Sequence, residues 1–142
     1  MRIADVLRSK GSSVATVPPW TTITELVSEL AKHNIGAVVV LTPDGVAGIV
    51  SERDVVRRLA ERGAALMDRP VSEIMTTALF TCTSNDTVES LSVLMTERRI
   101  RHVPVVDDGR LIGIVSIGDV VKTRMEELEA EHEQLQSYIT QG

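Results

Sequence analysis

Gly48-Ile49-Val50-Ser51-Glu52-Arg53-Asp54-Val55-Val56 returns 65 positions later as Gly113-Ile114-Val115-Ser116-Ile117-Gly118-Asp119-Val120-Val121. The match spreads outward from that stretch. Residues 14–57 align without a gap on residues 79–122, and 13 of the 44 paired positions are identical, among them Thr16 with Thr81, Leu26 with Leu91 and Val38 with Val103. A leader recurs as well, at a spacing of 68: Ile3-Ala4-Asp5-Val6-Leu7 resembles Val71-Ser72-Glu73-Ile74-Met75. Self-similarity this dense marks a duplicated supersecondary unit.

Each copy carries the same succession of local signals. Thr22 followed by Glu25 is a capping-box pattern that opens a helix, and Ile23, Leu26, Val27, Leu30 and Ala31 fall on one helical face. An apolar run from Ala37 to Leu41 reads as a strand, the turn around Pro43-Asp44-Gly45 reverses the chain, and Val46 to Val50 is a second strand. A second helix opens at Ser51 and ends near Arg62, where Gly63 suits its terminus. The second copy predicts a helix from Asp86 or Thr87, strands at Val103–Val106 and Leu111–Val115 around Asp108-Gly109, and a helix from Ser116. Short extended pieces at Thr16-Val17 and Thr81-Cys82 precede the first helix of each copy. The order is β-α-β-β-α, twice: an α/β (α+β) chain. A unit of about 60 residues has too little interior to stand alone, so the two are expected to pack sheet to sheet with pseudo-two-fold symmetry. The division follows: residues 1–63 for the first repeat and its leader, 64–70 as linker, 71–124 for the second, 125–142 as an extension.

Composition narrows the function. With a net charge of −5 and only three aromatics (Trp20, Phe80 and Tyr138), the chain lacks both the cationic surplus and the stacking side chains of a nucleic-acid binder. A lone cysteine, Cys82, precludes an internal disulfide and a multi-cysteine metal site, and His33 and His132 are isolated. No apolar stretch approaches the roughly 20 residues that span a bilayer, and no signal-peptide pattern opens the chain, so a soluble cytoplasmic protein is expected. A nucleophile, base and metal constellation cannot be assembled, and no catalytic role is expected.

The chain resembles the CBS family, specifically a tandem CBS pair (a Bateman module). The resemblance rests on Thr16-Val17-Pro18, on the strand entries Ile35-Gly36-Ala37-Val38-Val39-Val40 and Ile100-Arg101-His102-Val103-Pro104-Val105, and on the two Gly-x-x-Ser-x-x-Asp segments ending at Asp54 and Asp119. It implies a non-catalytic regulatory module with a cleft between the repeats for an adenosine nucleotide (AMP, ADP or ATP), sometimes a related adenosyl compound or NAD, and no obligatory cofactor. The residues fit that chemistry. An Asp in the first turn of a helix can accept both ribose hydroxyls. The helix N-terminus beside it, at Ser51 or at Ser116 and Gly118, offers unpaired N–H groups to phosphate. Arg53, and Arg101 with His102, add charge-assisted bonds. Adenine would lie among aliphatic side chains and backbone near Thr16-Val17 or Thr81-Cys82, with Gly36-Ala37 and Val103-Pro104 at the strand entries. Ser51-x-x-Asp54 and Ser116-x-x-Asp119 are equally ordinary capping boxes, and the two roles are compatible because a capping carboxylate keeps lone pairs free.

The two halves differ where it matters. Gly36-Ala37 stands opposite Arg101-His102, Arg53 opposite Gly118, and Trp20 opposite Asn85, so unequal sites are expected, with the second repeat offering the more persuasive phosphate ligands. Arg57, Arg58 and Arg62 read as a solvated helix face with Glu61. Cys82 reads as a buried apolar residue. Beyond Asp119 no Gly or Pro intervenes before Gly142, and Val121, Met125, Leu128, His132, Leu135 and Ile139 follow a 4-3-4-3-4 spacing, the seam of a short coiled coil. The tail is therefore a dimer contact or docking arm, or else a helix packed on its own domain. A homodimer is expected, with a separate protein effector as the output. The competing reading is a ligand-free scaffold of the same fold.

Overall fold

The computed structural model describes residues 1–11 and 13–141, so the terminal Gly142 lies outside it. The elements are α1 (Ile3–Lys10), β1 (Thr16–Val17), α2 (Ile23–His33), β2 (Ala37–Thr42), β3 (Gly45–Ser51), α3 (Glu52–Arg62), α4 (Val88–Arg98), β4 (His102–Asp107), β5 (Arg110–Ser116) and α5 (Ile117–Gln141). In the first repeat β1 runs parallel to β2, which pairs antiparallel with β3. In the second, β4 and β5 form the matching hairpin, with a register shift at the same place, after Val105 as after Val40. Contacts between β3 and β5 join the two sheets.

Thr81-Cys82 does not become a full strand, and Pro104 explains why. The Val39 amide donates to the Ala15 carbonyl and extends the pairing of β1. Its counterpart, Pro104, has no N–H to give. Cys82 therefore makes one parallel bridge, to Val105, held by Cys82 N–H to the Pro104 carbonyl at 3.0 Å and Val106 N–H to the Cys82 carbonyl at 2.8 Å.

Each repeat has its own aliphatic core, and each core is finished by the leader of the other. Ile3, Val6 and Leu7 of α1 are buried with Val88, Leu91, Met95, Val103 and Val115 of the second repeat. Val71 and Ile74 are buried with Ile23, Leu26, Val38 and Val50 of the first. The backbone bonds repeat this exchange: Ile3 N–H donates to the Asp86 carbonyl as Val71 N–H does to that of Thr21, and Val88 N–H donates to Met1 as Ile23 N–H does to Arg69. Two glycines of the duplicated stretch admit the leaders. A Cβ on Gly113 would stand 2.6 Å from Leu7 Cδ2, and one on Gly48 would stand 2.8 Å from Met75 Sδ and 2.9 Å from the Thr76 carbonyl oxygen. Those glycines are needed for close approach, not for an unusual φ.

Helix α2 buries a narrower face than its periodicity predicts. Ile23, Leu26 and Leu30 are buried, whereas Val27 is 38% exposed and Ala31 is also on the surface. They border a shallow apolar groove between α2 and α3. Thr22 accepts from Glu25 N–H as an N-cap should, but the reciprocal Glu25 bond does not form. Between α3 and the second leader, residues 63–68 are 3₁₀ turns that bury Leu66 completely. Helix α5 is continuous for 25 residues, about 37 Å at ~1.5 Å per residue. Its first turns pack against α4, with Val120 and Thr123 buried. From Leu128 to Thr140 every residue is exposed, so the seam faces away from its own domain. No helix among the described residues is long and apolar enough to cross a membrane.

Candidate functional site

The carboxylates of the duplicated motif sit where helices begin. Asp54 closes a capping box on α3, its Oδ2 accepting from Ser51 N–H at 2.8 Å and from the Ser51 hydroxyl at 3.0 Å, while Asp54 N–H donates back to Ser51 Oγ. Asp119 does the same with Ser116 at 2.9 and 3.0 Å. The capping role is thus realised in both copies, and the surroundings separate them.

Asp54 opens on a cavity of about 270 Å³ between the repeats. One wall is the start of α3, from Ser51 to Asp54 with Arg57 a turn further on; the facing wall is the segment that enters β4, Arg99 to His102. Gly36, Ile49 and Thr76 complete it. The phosphate-ligating candidates of the second repeat, Arg101 and His102, thus serve the carboxylate of the first. A Cβ at Gly36 would stand in ordinary contact with the His102 ring at 3.7 Å and Glu52 Oε1 at 3.6 Å, which places the glycine between these two residues.

The electrostatics of the cavity are lopsided. Arg53, Arg57, Arg99 and Arg101 all line it, against Asp54 and Glu52. Among the described residues none of these four guanidiniums pairs with a carboxylate, whereas Arg58 pairs with Glu61, and Arg62 and Arg69 both pair with Glu73. Four guanidiniums around one opening, beside a helix N-terminus, are chemically suited to a multiply charged anion. Burial depresses the His102 pKa, and the nearby Lys10 ammonium adds to the depression against the opposing pull of Asp119 and Glu52.

The remaining predicted site residues lie elsewhere. Thr16 and Val17 form β1, Ala37, Val103 and Pro104 are buried, and Thr81 is exposed. Cys82 is 5% exposed, and burial, helped by Asp86 and Asp107, pushes its thiol up to about 12. Gly118 lies at the foot of an apolar groove along α5, with Val121 and Met125. Asp119 is taken up by an internal partner: Lys10 Nζ of α1 donates to its Oδ2 at 2.6 Å and to the Ile114 carbonyl at 2.8 Å. Burial opposes the Asp119 charge, but Lys10 and the Ser116 bonds prevail and hold its pKa below the ordinary value. Sequence reasoning missed Glu52, Arg57 and Arg99. Arg57 was visible in principle, three residues after Asp54 and four after Arg53, hence on their face of the helix.

Comparison with known proteins identifies the fold. A crystallised CBS-domain protein of Agrobacterium tumefaciens is 48% identical, with a TM-score of 0.84 over 87% of this chain and 99% of its own. The CBS domain pair of protein MJ0100, solved with 5′-methylthioadenosine and S-adenosyl-L-methionine, is 26% identical with a TM-score of 0.79 over 89% and 98%. A CBS domain protein of Pyrobaculum aerophilum complexed with AMP is 32% identical with a TM-score of 0.75 over 84% and 89%. The family model for the CBS domain matches twice, at residues 3–61 and 71–126, one match for each half of the duplication, and the chain belongs to the CBS-domain family as a tandem pair.

Proposed function

We propose that this CBS pair is a non-catalytic sensor that binds one adenosine nucleotide in the cavity beside Asp54 and passes the signal to a separate partner. The observation that carries the reading is the convergence of Asp54 with Arg53, Arg57, Arg99, Arg101 and His102 on one opening formed by both repeats. Asp54 takes the ribose hydroxyls, and the guanidiniums with the N-terminus of α3 take the phosphates. The related structures solved with AMP and with S-adenosyl-L-methionine support an adenosine-containing ligand. The local charge argues for the phosphate-bearing members of that group. A sulfonium cation would face four unpaired guanidiniums, whereas each phosphate gains charge-assisted bonds of about 1.5–3 kcal/mol.

Titration calorimetry with AMP, ADP, ATP, NAD and S-adenosylmethionine tests this. ATP and ADP bind more tightly than AMP, and S-adenosylmethionine most weakly. Asp54→Asn, which retains an acceptor oxygen for the cap, weakens every ligand about tenfold or more. Paired Arg57→Gln and Arg99→Gln substitutions shrink the advantage of ATP over AMP. If none of the five binds at millimolar concentration, the sensor reading fails and the scaffold reading takes its place. That second reading draws on the uncovered seam of α5, which supports a homodimer whether or not a nucleotide binds.

A further inference from the structure

The two copies of the Ser-x-x-Asp motif have equal backbone geometry and unequal company, and the difference comes from one side chain. Lys10 is the last residue of α1, one turn beyond Leu7, whose side chain rests on Gly113. From there its ammonium reaches Asp119 and the Ile114 carbonyl, bridging the helix start and the strand before it. The leader spacing places Ala78 where Lys10 stands, so the other leader brings no cation to Asp54. The second position is also poorer in other cations, keeping only Lys122, the counterpart of Arg57. The counterparts of Arg99, Arg101 and His102 are Asn34, Gly36 and Ala37. The space that opens beside Asp119 is about 90 Å³, and Asp5 and Glu126 border it together with Lys10 and Lys122.

We infer that Lys10 is a tethered occupant of the second cleft: its ammonium holds the carboxylate that a ribose would otherwise engage, so the chain takes a single ligand and α1 is latched to α5. The ligand part of this inference rests on the sensor reading above; the latch does not. Lys10 is well placed for the task because it spans two acceptors at once, the pair being partly open to water with side chains 31% and 23% exposed. Without Lys10, Asp119 would be a capping carboxylate with free lone pairs, able to grip a ribose, with Lys122 alone among Asp5 and Glu126 to meet a phosphate. The ligand for such a site is an uncharged nucleoside.

Two measurements on the full chain decide it. In thermal denaturation without ligand, Lys10→Met and Asp119→Asn each lower Tm, and the double variant falls no further than the lower of the two; additive losses overturn the latch. In titrations with adenosine, the wild type binds one equivalent, lost in Asp54→Asn. Lys10→Met binds a second equivalent, which disappears when Asp119→Asn is added. An unchanged stoichiometry in Lys10→Met, or two equivalents in the wild type, overturns the inference. A wild type that binds no adenosine would sink the sensor reading alone, since the gain in Lys10→Met remains decisive. Lys10→Gln, which keeps a donor for the Ile114 carbonyl, replaces Lys10→Met if that variant does not fold.

Discussion

At Asp54 one carboxylate serves the chain and stays available to a ligand: Oδ2 closes the cap with Ser51, and among the described residues no ion pair claims the group. His102, on the facing wall, is the residue through which pH enters. Its folded pKa lies below the ordinary 6.5 because of burial and the Lys10 charge, with Arg101 adding to the depression and Asp119 and Glu52 opposing it. The folded protein therefore holds fewer protons than the unfolded chain as pH drops below about 6.5, and the His102 contribution to stability, complete above that value, is lost through the folded pKa. Phosphate in the cavity supplies the missing counter-charge. Nucleotide binding should thus draw a proton onto His102 between its depressed value and pH 7. Calorimetry in two buffers of different ionisation enthalpy measures that uptake, and His102→Gln leaves only what the ligand itself takes up. The sequence revealed Asp54, Arg53, Arg101 and His102 as individuals. It did not reveal their grouping, because the partner of each half-site lies across the pseudo-two-fold, where spacing along the chain carries no information.

Among the elements, the strands and helices were legible because binary pattern and caps agree at nearly every boundary, from the Ser51 cap to the Gly63 end of α3. Two departures have local causes. Pro104 cuts the second parallel pairing to a single bridge. Val27 lies at the rim of the α2 face, where apolar periodicity cannot tell a core from an apolar surface. The leader exchange was hidden for a different reason: both leaders suit either repeat, and only the length and direction of the connections choose between them. The glycines beneath the leaders give an asymmetric prediction. Gly113→Ala presses on the far end of the Leu7 side chain, which can turn aside, whereas Gly48→Ala also meets the Thr76 backbone oxygen, which cannot. Overpacking of this kind costs about 1–3 kcal/mol, with Gly113→Ala at the lower end and Gly48→Ala at the upper, as read from urea midpoints.

For the molecule as a whole, the far half of α5 and the crossed leaders matter most. Val121, Met125, Leu128, Leu135 and Ile139 are between 51 and 73% exposed along one continuous helix, which is the surface a second copy would cover. Removing residues 128–142 should change the stability of the fold by no more than about 0.5 kcal/mol, since residues 128–140 are all exposed. It should also shift the sedimenting species from dimer to monomer; a dimer that persists would place the contact outside residues 128–142. The crossed leaders act earlier, while the chain is being made. Helix α1 is synthesised before the groove that receives it, which is walled by residues around Val88, Leu91 and Val115. At ~5–20 residues per second, α1 waits roughly 5–20 s for the ribosome to deliver that groove. During that interval Ile3, Val6 and Leu7 lack the core that buries them, and this leader is a stretch a chaperone would shelter.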